Sequence, residues 1–452
     1  MEEESLTLKV VVVGAGVVGA ACAFHAASAG LDVTVVDRGP VGAGTTSRGE
    51  GNVLVSDKEP GPELALARLS RTLWEEAGRE LGPGTLELEP KGGLVVASTE
   101  ESLTALREFA ARQEAAGVRV EPVDRVRDLE PHLAPGIPGG VHYPQDAQVQ
   151  PVLAAAALLR AAVRRGARFR TGEVVAALTS RDDDRTPHRP PRPGPTSAGP
   201  TSPGPGPAPS GPPSHGPTPE APFPEGSLPQ GPPPEVPSPD GRITGVRTAA
   251  GDVLRADFVV NAAGTWGGEV GRRLGAPVEV LPRRGFVLVT EPLPPAVVRH
   301  KVYSADYVAN VASSDAGLET SCVVEGTRGG TILIGASRER VGFDTTMNTA
   351  VVARLAAQAC RLFPFLRGVH LMRAYRGFRP YCPDHLPVIG PDPRVPGVVH
   401  ACGHEGAGVG LAPGTGALVT AHLLGRPWRG ADPAALTGLL PDRFLAPGGA
   451  RQ

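Results

Sequence analysis

Apolar residues in the first forty positions follow a strand, helix, strand pattern. Residues 8–13 form a short apolar run, which predicts a buried strand. The alanine-rich stretch 17–29 predicts a helix, and 32–36 predicts a second strand. Because a strand followed by a helix and another strand is the unit of a parallel sheet, an α/β fold is expected.

Helical and strand patterns alternate further along the chain. Apolar residues recur with helical spacing in 62–81, at positions 66, 69, 73, 77 and 81. A second helix is predicted at 150–165, where Pro151 stands in the first turn. The region 266–375 is richer in short strand patterns. The sequence therefore predicts an α/β part and a second, β-rich part.

Residues 181–240 have a separate composition, with 22 of the 50 prolines of the chain. Such a segment has too few apolar residues to offset the entropy of ordering, so it is predicted to be disordered. Strands are predicted before it at 171–179 and after it at 241–248 and 252–261. We therefore expect the segment to replace the turn of a hairpin, which the slow growth of loop-closure entropy with length tolerates.

The turn after the first strand has the spacing of a dinucleotide-binding site. In 9–37, Gly14 makes the tight turn, Gly16 allows backbone to approach a pyrophosphate and Gly19 allows the helix to pack closely. The helix N-terminus offers free amides to the phosphates. Asp37, at the end of the second strand, suits the ribose hydroxyls of FAD or NAD(H) and disfavours NADP(H).

Three later segments favour a flavin over a nicotinamide. The loop 42–52 is made of glycines and small hydroxyl residues that fit against a phosphate and a flat ring. The strand at 257–267 ends in small residues, as a backbone beside an adenosine needs. In 398–411 a strand, a glycine turn and a helix start recur, and this helix start suits the negative charge of a reduced flavin.

Composition excludes several function classes. The formal net charge of −2 gives no basic surface for nucleic acid. Cysteines at 22, 322, 360, 382 and 402 show neither C-x-x-C nor metal-ligand spacing, so neither disulfides nor a metal site are expected. The acidic start is unlike a signal peptide, and no apolar run is long enough to span a bilayer. A cytoplasmic protein without an integral membrane segment is expected.

Together these motifs resemble those of the D-amino acid oxidase superfamily of FAD-dependent oxidoreductases. Segments 44–64, 376–391 and 403–413 look most like the flavin subunits of hydroxyproline, proline and opine dehydrogenases. The resemblance implies a Rossmann-type FAD-binding domain interleaved with a β-rich α+β substrate domain. The FAD-binding domain is then expected at 1–88, 146–180, 241–265 and 376–452, and the substrate domain at 89–145 and 266–375.

The resemblance also implies FAD as a non-covalent cofactor. Monomeric sarcosine oxidases attach FAD through a cysteine, but the alignment places that cysteine near Gly377 and not at Cys382. Beyond the fingerprint residues Gly14, Gly16, Gly19 and Asp37, the matching positions are Thr46, Ser47, Gly51 and Asn52 beside the pyrophosphate and flavin, Val175 beside the adenine, Gly264 over the adenosine, and Gly408, Val409, Gly410 and Leu411 at the flavin-facing helix start.

On the substrate side, Arg379 matches the arginine that binds the substrate carboxylate in glycine-oxidase-like relatives. A planar guanidinium grips a carboxylate through two parallel hydrogen bonds. His404 and Glu405 are expected beside the flavin, where they either contact substrate, tune the flavin or support the turn. Gly406 stands where glycine oxidase has a second arginine, which favours a ring-shaped imino acid over glycine.

We therefore expect an enzyme that oxidises a D-amino or imino acid, hydroxyproline-like or proline-like, by hydride transfer from Cα to flavin N5, which gives an imine. Electron-transfer partner subunits are expected as one route of reoxidation. The alternatives are an oxygen-using oxidase of the glycine or sarcosine type, a non-catalytic flavoprotein subunit of a complex, and an NAD(H) dehydrogenase.

Overall fold

The computed structural model describes residues 7–180, 241–311, 313–427 and 433–445. The proline-rich segment 181–240 lies outside these ranges, so its expected disorder stays a prediction. The strands are β1 (Lys9–Val13), β2 (Asp32–Asp37), β3 (Asn52–Val53), β4 (Gly93–Val96), β5 (Glu121–Val123), β6 (Gly140–Tyr143), β7 (Ala147–Gln148), β8 (Arg168–Thr171), β9 (Val174–Thr179), β10 (Ile243–Thr248), β11 (Val253–Arg255), β12 (Phe258–Asn261), β13 (Leu281–Thr290), β14 (Lys301–Ser304), β15 (Glu319–Gly326), β16 (Ile332–Arg338), β17 (Leu371–Tyr381), β18 (Val388–Pro391) and β19 (Val398–Cys402). The helices are α1 (Val17–Ser28), α2 (Pro62–Leu81), α3 (Glu100–Ala115), α4 (Val126–Leu129), α5 (Pro151–Arg164), α6 (Gly267–Arg273), α7 (Ala305–Val311), α8 (Thr349–Leu362), α9 (Gly408–Leu423) and α10 (Pro433–Leu436).

The first sheet has six strands in the order β18-β19-β12-β1-β2-β8. All neighbours are parallel except β18, which runs antiparallel to β19. Side chains alternate across β1, so Val10 and Val12 pack in the core that contains α1, α5 and α9, and Val11 and Val13 pack against the small sheet β11-β10-β9. Burial on both faces explains the continuous valine run of β1.

The second large sheet has eight strands in the order β17-β13-β16-β15-β14-β4-β6-β5. Its neighbours are antiparallel except for the pair β14 and β4. Phe286, Leu288 and Ile334 pack with Leu355 of α8 in one core. The boundary expected at 376 falls inside β17, which is a full strand of this sheet.

The two large sheets meet at β17. The Oγ1 atoms of Thr45 and Thr265, which lie in loops at the carboxyl edge of the first sheet, donate to the carbonyl oxygen of Phe378 at 2.8 and 2.7 Å. The fold is thus the mixed α/β architecture expected, with a parallel Rossmann-type sheet beside a β-rich sheet. Within the described ranges, no helix is long and apolar enough to cross a bilayer.

The hairpin around the proline-rich segment is present, with β9 antiparallel to β10. One strand prediction beside it needs a later start, and one was wrong. The strand predicted at 171–179 is β9, which begins at Val174, because Thr171 ends β8 and Gly172 N donates to Asp37 O at 2.7 Å. Residues 252–261 are not one strand but divide into β11 and β12, because Asp257 pairs with Lys9 at the start of β1.

Candidate active site

The glycine turn after β1 has room for backbone and none for side chains. Gly14 has φ +113°, and a Cβ on it would lie 2.4 Å from Ala262 O. A Cβ on Gly19 would lie 1.9 Å from Gly14 O, and one on Gly16 would lie 3.2 Å from Thr46 Oγ1. The helix N-terminus of α1 therefore approaches the carboxyl ends of β1 and β12 closely.

Asp37 lies at the end of β2 beside this turn. Its Oδ2 accepts from Ala15 N at 2.7 Å and its Oδ1 from Gly39 N at 2.8 Å. Each carboxylate oxygen has a second lone pair for a hydroxyl donor. The arrangement places an anionic acceptor next to the first turn of α1, as recognition of a ribose requires.

The loop 42–52 runs along the same edge of the sheet. Thr46 Oγ1 accepts from Val17 N at 3.0 Å, so this buried hydroxyl occupies the N-terminus of α1. Ser47 Oγ donates within the loop, to Ala43 O and Gly44 O at 3.1 and 3.2 Å. The expected phosphate-facing residues therefore lie at the correct edge, and their hydroxyls bond to backbone.

Gly51 and Asn52 continue this loop into β3. A Cβ on Gly51 would lie 1.9 Å from Val149 O, so only glycine allows this backbone contact. Asn52 pairs with Gln148 in the β3–β7 ladder. Gly264, with φ +55°, begins the turn after β12, and Val175 lies on β9 in the small sheet with 38% of its surface exposed.

The start of α9 faces the loop across a narrow cleft. A Cβ on Gly410 would lie 3.0 Å from Asn52 O, and Trp74 Nε1 donates to Val409 O and Gly410 O at 3.1 and 3.2 Å. The cleft is lined by Asn52, Leu54, Asp57 and Lys58 on one side and by Gly406, Ala407, Gly410 and Leu411 on the other. The predicted flavin-facing residues are thus adjacent in space, although Asn52 and Gly410 are 358 positions apart in the sequence.

A larger cavity of about 220 Å³ lies elsewhere, beside Lys9, Asp32 and Arg168. These residues begin β1, β2 and β8, so the cavity opens at the amino edge of the parallel strands. Ligands of open α/β sheets bind outside the carboxyl ends of the strands, which here are the glycine-turn edge. We therefore place the functional site at the smaller cleft.

His404 is buried at the turn before α9. Its Nε2 lies 3.0 Å from Thr415 Oγ1, and 3% of the residue is exposed. Burial lowers the pKa of His404 to about 3, because the imidazolium loses its hydration. The ring is therefore neutral at physiological pH and links this turn to α9.

Glu405 lies between an arginine and a histidine. Its Oε2 lies 3.5 Å from Arg283 Nη1, and its Oε1 lies 2.9 Å from His385 Nδ1. Its backbone has φ +46°, in the left-handed region that non-glycine residues seldom adopt. The carboxylate is thus a partner of Arg283 in the wall of the site.

Arg379 lies on β17, opposite Arg283 of β13. Its Nη1 donates to Ser337 O at 2.7 Å, and among the described residues no carboxylate lies within ion-pair distance of it. A Cβ on Gly285 would lie 2.2 Å from the same Nη1, and one on Gly406 would lie 3.4 Å from Nε. Two glycines therefore clear the space that this guanidinium occupies.

A second guanidinium, that of Arg338, lies near the first. Arg338 is 4% exposed and its guanidinium carbon lies 4.7 Å from the ring centre of Tyr307. Burial, with Arg338 adding to it, lowers the pKa of Arg379 to about 10, so Arg379 stays protonated at neutral pH. Two neighbouring guanidinium groups, that of Arg338 buried and that of Arg379 partly buried, attract an anion.

A buried ion cluster beside the loop was missed in the sequence. Lys301 Nζ contacts Glu325 Oε2 and Asn52 Oδ1, and lies 3.6 Å from Glu50 Oε2. Burial alone would lower the pKa of Lys301, but Glu325 and Glu50 beside it raise that pKa above its ordinary value. The signal that could have found this cluster is the rarity of lysine, since only four of the 45 lysines and arginines are lysines.

Cys382 is fully buried in a small apolar cluster with Val388 and Cys402. Burial raises the pKa of its thiol well above the ordinary range, which disfavours the reactive thiolate.

In the part of the chain that the structure describes, no group of His, Cys, Asp or Glu has the arrangement of a metal site.

These residues fit an FAD. The glycine turn, Asp37 and the N-terminus of α1 suit the ADP half, and the cleft between Asn52 and Gly410 lies where a second helix N-terminus is available. A family model described as FAD dependent oxidoreductase (DAO) matches residues 9–192 and 235–422. The chain belongs to this family.

The chain is also similar to individual proteins. Glycine oxidase from Geobacillus kaustophilus is 26% identical over 420 residues, 91% of each chain. Hydrogen cyanide synthase subunit HcnC from Pseudomonas aeruginosa is 34% identical, but over 180 residues that cover only 39% of this chain and 39% of that protein. The crystal structure of L-proline dehydrogenase from P. horikoshii has a TM-score of 0.74 at 19% identity, covering 97% of this chain and 98% of that one.

Family membership confirms FAD as the cofactor and an oxidoreductase as the kind of enzyme. It also confirms the resemblance on which the site residues were assigned. The individual roles of those residues, and the absence of a covalent bond to FAD, stay predictions.

Proposed function

We propose that this protein oxidises an α-amino or imino acid, with a proline-like or hydroxyproline-like ring as the preferred substrate. The observation that carries this proposal is the partly buried, protonated Arg379, which has one internal hydrogen bond and no carboxylate partner in the described ranges. A desolvated guanidinium without a counter-ion is a binding site for a carboxylate. FAD, when bound, supplies the electron acceptor.

The residues of the chain act on the substrate by binding and orientation. Arg379 holds the carboxylate, and its contact with Ser337 O fixes the plane of the guanidinium. Arg338 adds positive charge to the same region. Holding the substrate in one orientation brings its Cα toward the cofactor side of the site, which is the contribution that binding makes to the rate.

The second candidate is an oxygen-using oxidase of glycine. The full-length similarity to a glycine oxidase favours it. Gly406 opposes it, because its Cβ position lies 3.4 Å from Arg379 Nε and the space beside the guanidinium is free of a further side chain. The second arginine that glycine oxidase has at this position is therefore missing from the site.

An anaerobic substrate panel tests this proposal. The purified yellow protein is mixed with D-proline, hydroxyproline isomers, sarcosine or glycine, and the loss of flavin absorbance is followed. A cyclic imino acid is expected to bleach the flavin faster than glycine. Bleaching by glycine first, with hydrogen peroxide formed on readmission of air, would support the second candidate, and no bleaching by any compound would contradict both.

The electron acceptor and any partner subunit belong to the same proposal. HcnC is a subunit of hydrogen cyanide synthase, and its similarity supports a subunit role here. If oxygen reoxidises the reduced protein slowly while an artificial dye does so rapidly, a partner acceptor is supported. A non-catalytic subunit would show neither reaction.

A further inference from the structure

The buried carboxylate of Glu50 has one oxygen to which no described residue donates a hydrogen bond. The residue is 9% exposed, and its Oε1 has no hydrogen-bond partner among the residues that the structure describes. Its Oε2 accepts from Asn52 Nδ2 at 3.2 Å and lies 3.6 Å from Lys301 Nζ. A buried carboxylate oxygen without a donor is costly, so a donor from outside the chain is expected to meet it.

Lys301 does not account for this carboxylate. The ammonium has nearer contacts with Glu325 Oε2 and Asn52 Oδ1. Two carboxylates therefore share this ammonium, and Glu325 is the nearer of them. Glu325 is therefore the main partner of Lys301, and Glu50 is the carboxylate in excess.

The position of Glu50 relates it to Arg379. A Cβ on Gly335 would lie 2.2 Å from Glu50 Oε1, and Ser337, two residues further along β16, accepts from Arg379 through its carbonyl. Gly377 leaves room for the same loop in the same way, since a Cβ on it would lie 2.5 Å from Arg48 Cβ. The loop carboxylate and the guanidinium thus contact the same strand at positions two residues apart, and the negative charge of Glu50 acts on Arg379.

We propose that Glu50 Oε1 binds the ammonium group of the substrate while Arg379 binds its carboxylate. The pair complements a zwitterion, so the substrate class is an α-amino or imino acid in its charged form, and 2-hydroxy acids and simple carboxylates are disfavoured. This inference rests on the proposed function. The competing explanation is that Glu50 only supports Lys301.

A matched pair of ligands and a matched pair of variants separate these explanations. 2-Aminoisobutyrate and pivalate share one shape, with an ammonium in the first where the second has a methyl group. Neither has a hydrogen on Cα, so neither is oxidised, and the change in flavin absorbance reports binding alone. Glu50→Gln removes the excess carboxylate, whereas Glu325→Gln removes the other carboxylate of the same lysine.

In Glu50→Gln we expect the affinity for 2-aminoisobutyrate to fall roughly 10–100-fold and that for pivalate to change less than about twofold. Glu325→Gln is expected to affect the two ligands equally. Glu50→Asp, which keeps the charge, is expected to retain the preference for the ammonium and serves if Glu50→Gln loses its flavin. For an amino acid that is oxidised, the affinity of each variant is compared through the dependence of flavin reduction on amino acid concentration.

The inference is overturned if Glu50→Gln weakens both ligands alike, or if Glu325→Gln reproduces its selectivity. Either result would assign Glu50 to the support of Lys301 while the proposed function stands. If no amino or imino acid binds to or reduces the wild-type flavoprotein, the proposed function fails and this inference fails with it.

Discussion

At the scale of single residues, the buried lysines indicate the location of the site more clearly than the arginines do. Lys58 and Lys301 are 3% and 1% exposed, and each contacts two carboxylates. An ammonium directs three donors from one compact point, which a planar guanidinium does not reproduce. In an arginine-rich chain, a buried lysine therefore marks a position where the compact geometry is needed.

Replacing Arg379 by alanine tests the carboxylate-binding role. We expect KM for the substrate to rise roughly 10–100-fold or more, because a charge-assisted hydrogen-bonded pair is lost, while FAD stays bound. Steady-state kinetics and the flavin spectrum measure the two effects. Arg373, exposed on the same strand, provides the control variant Arg373→Ala, and a KM equal in both variants would contradict the role.

Protonation of His404 predicts part of the acid sensitivity of the fold. Its folded pKa of about 3 lies below the ordinary value, so its contribution is fully present above about pH 6.5 and is lost as pH falls toward 3. The free energy of unfolding should fall by about 1.4 kcal/mol per pH unit from this residue. His404→Gln should reduce that slope between pH 6 and 4 in urea titrations. An unchanged slope, equal to that of the exposed-histidine variant His370→Gln, would contradict this assignment.

At the scale of elements, the two helix starts owe their positions to glycine contacts. α1 approaches β1 and β12 through Gly14 and Gly19, and α9 approaches β3 through Gly410. Each contact brings free backbone amides to the carboxyl edge of the parallel sheet. These glycines in the sequence thus mark the places where a helix and a strand approach each other most closely in the fold.

Gly19→Ala is expected to abolish FAD binding. The added Cβ would lie 1.9 Å from Gly14 O, so α1 must move away from the turn that it completes. The purified variant should lack the flavin absorbance and unfold at a temperature lower by several degrees, as overpacking of about 1–3 kcal/mol implies. Gly39→Ala, whose Cβ contacts begin at 3.8 Å, is the control, and full flavin content in both variants would contradict the prediction.

At the scale of the whole molecule, the site forms where two sheets meet. The first sheet contributes the glycine turn and the loop 42–52, and the second contributes Arg379, Gly285 and Lys301. Thr45 and Thr265 bind β17 across this junction. The alignment of cofactor and substrate residues therefore depends on the packing of both sheets.

Removal of the proline-rich segment is expected to leave the fold intact. Ser180 N donates to Arg242 O at 3.0 Å, so the two ends of the hairpin are already adjacent. Replacing residues 181–240 by Asn-Gly should shift the unfolding temperature by only a few degrees, because loop closure depends weakly on length. Flavin content, kcat and KM should also be unchanged. A loss of FAD on deletion would instead assign the segment a structural role.

The sequence by itself determined the elements whose signals are local. The glycine spacing after β1, the acid at the end of β2 and the helical period of α2 each depend on neighbours within one element, and the structure has them at the expected positions. The hairpin around the proline-rich segment followed from the flanking patterns for the same reason. The family resemblance then supplied the cofactor.

Only the tertiary structure decided which side chains face each other. The excess carboxylate of Glu50, the second guanidinium of Arg338 and the pairing of Glu405 with Arg283 join residues far apart in the chain, and no periodicity encodes such contacts. The division of 252–261 between two sheets arose likewise from long-range pairing. Local pattern therefore specified the cofactor turn, and the packing of two sheets specified the substrate site.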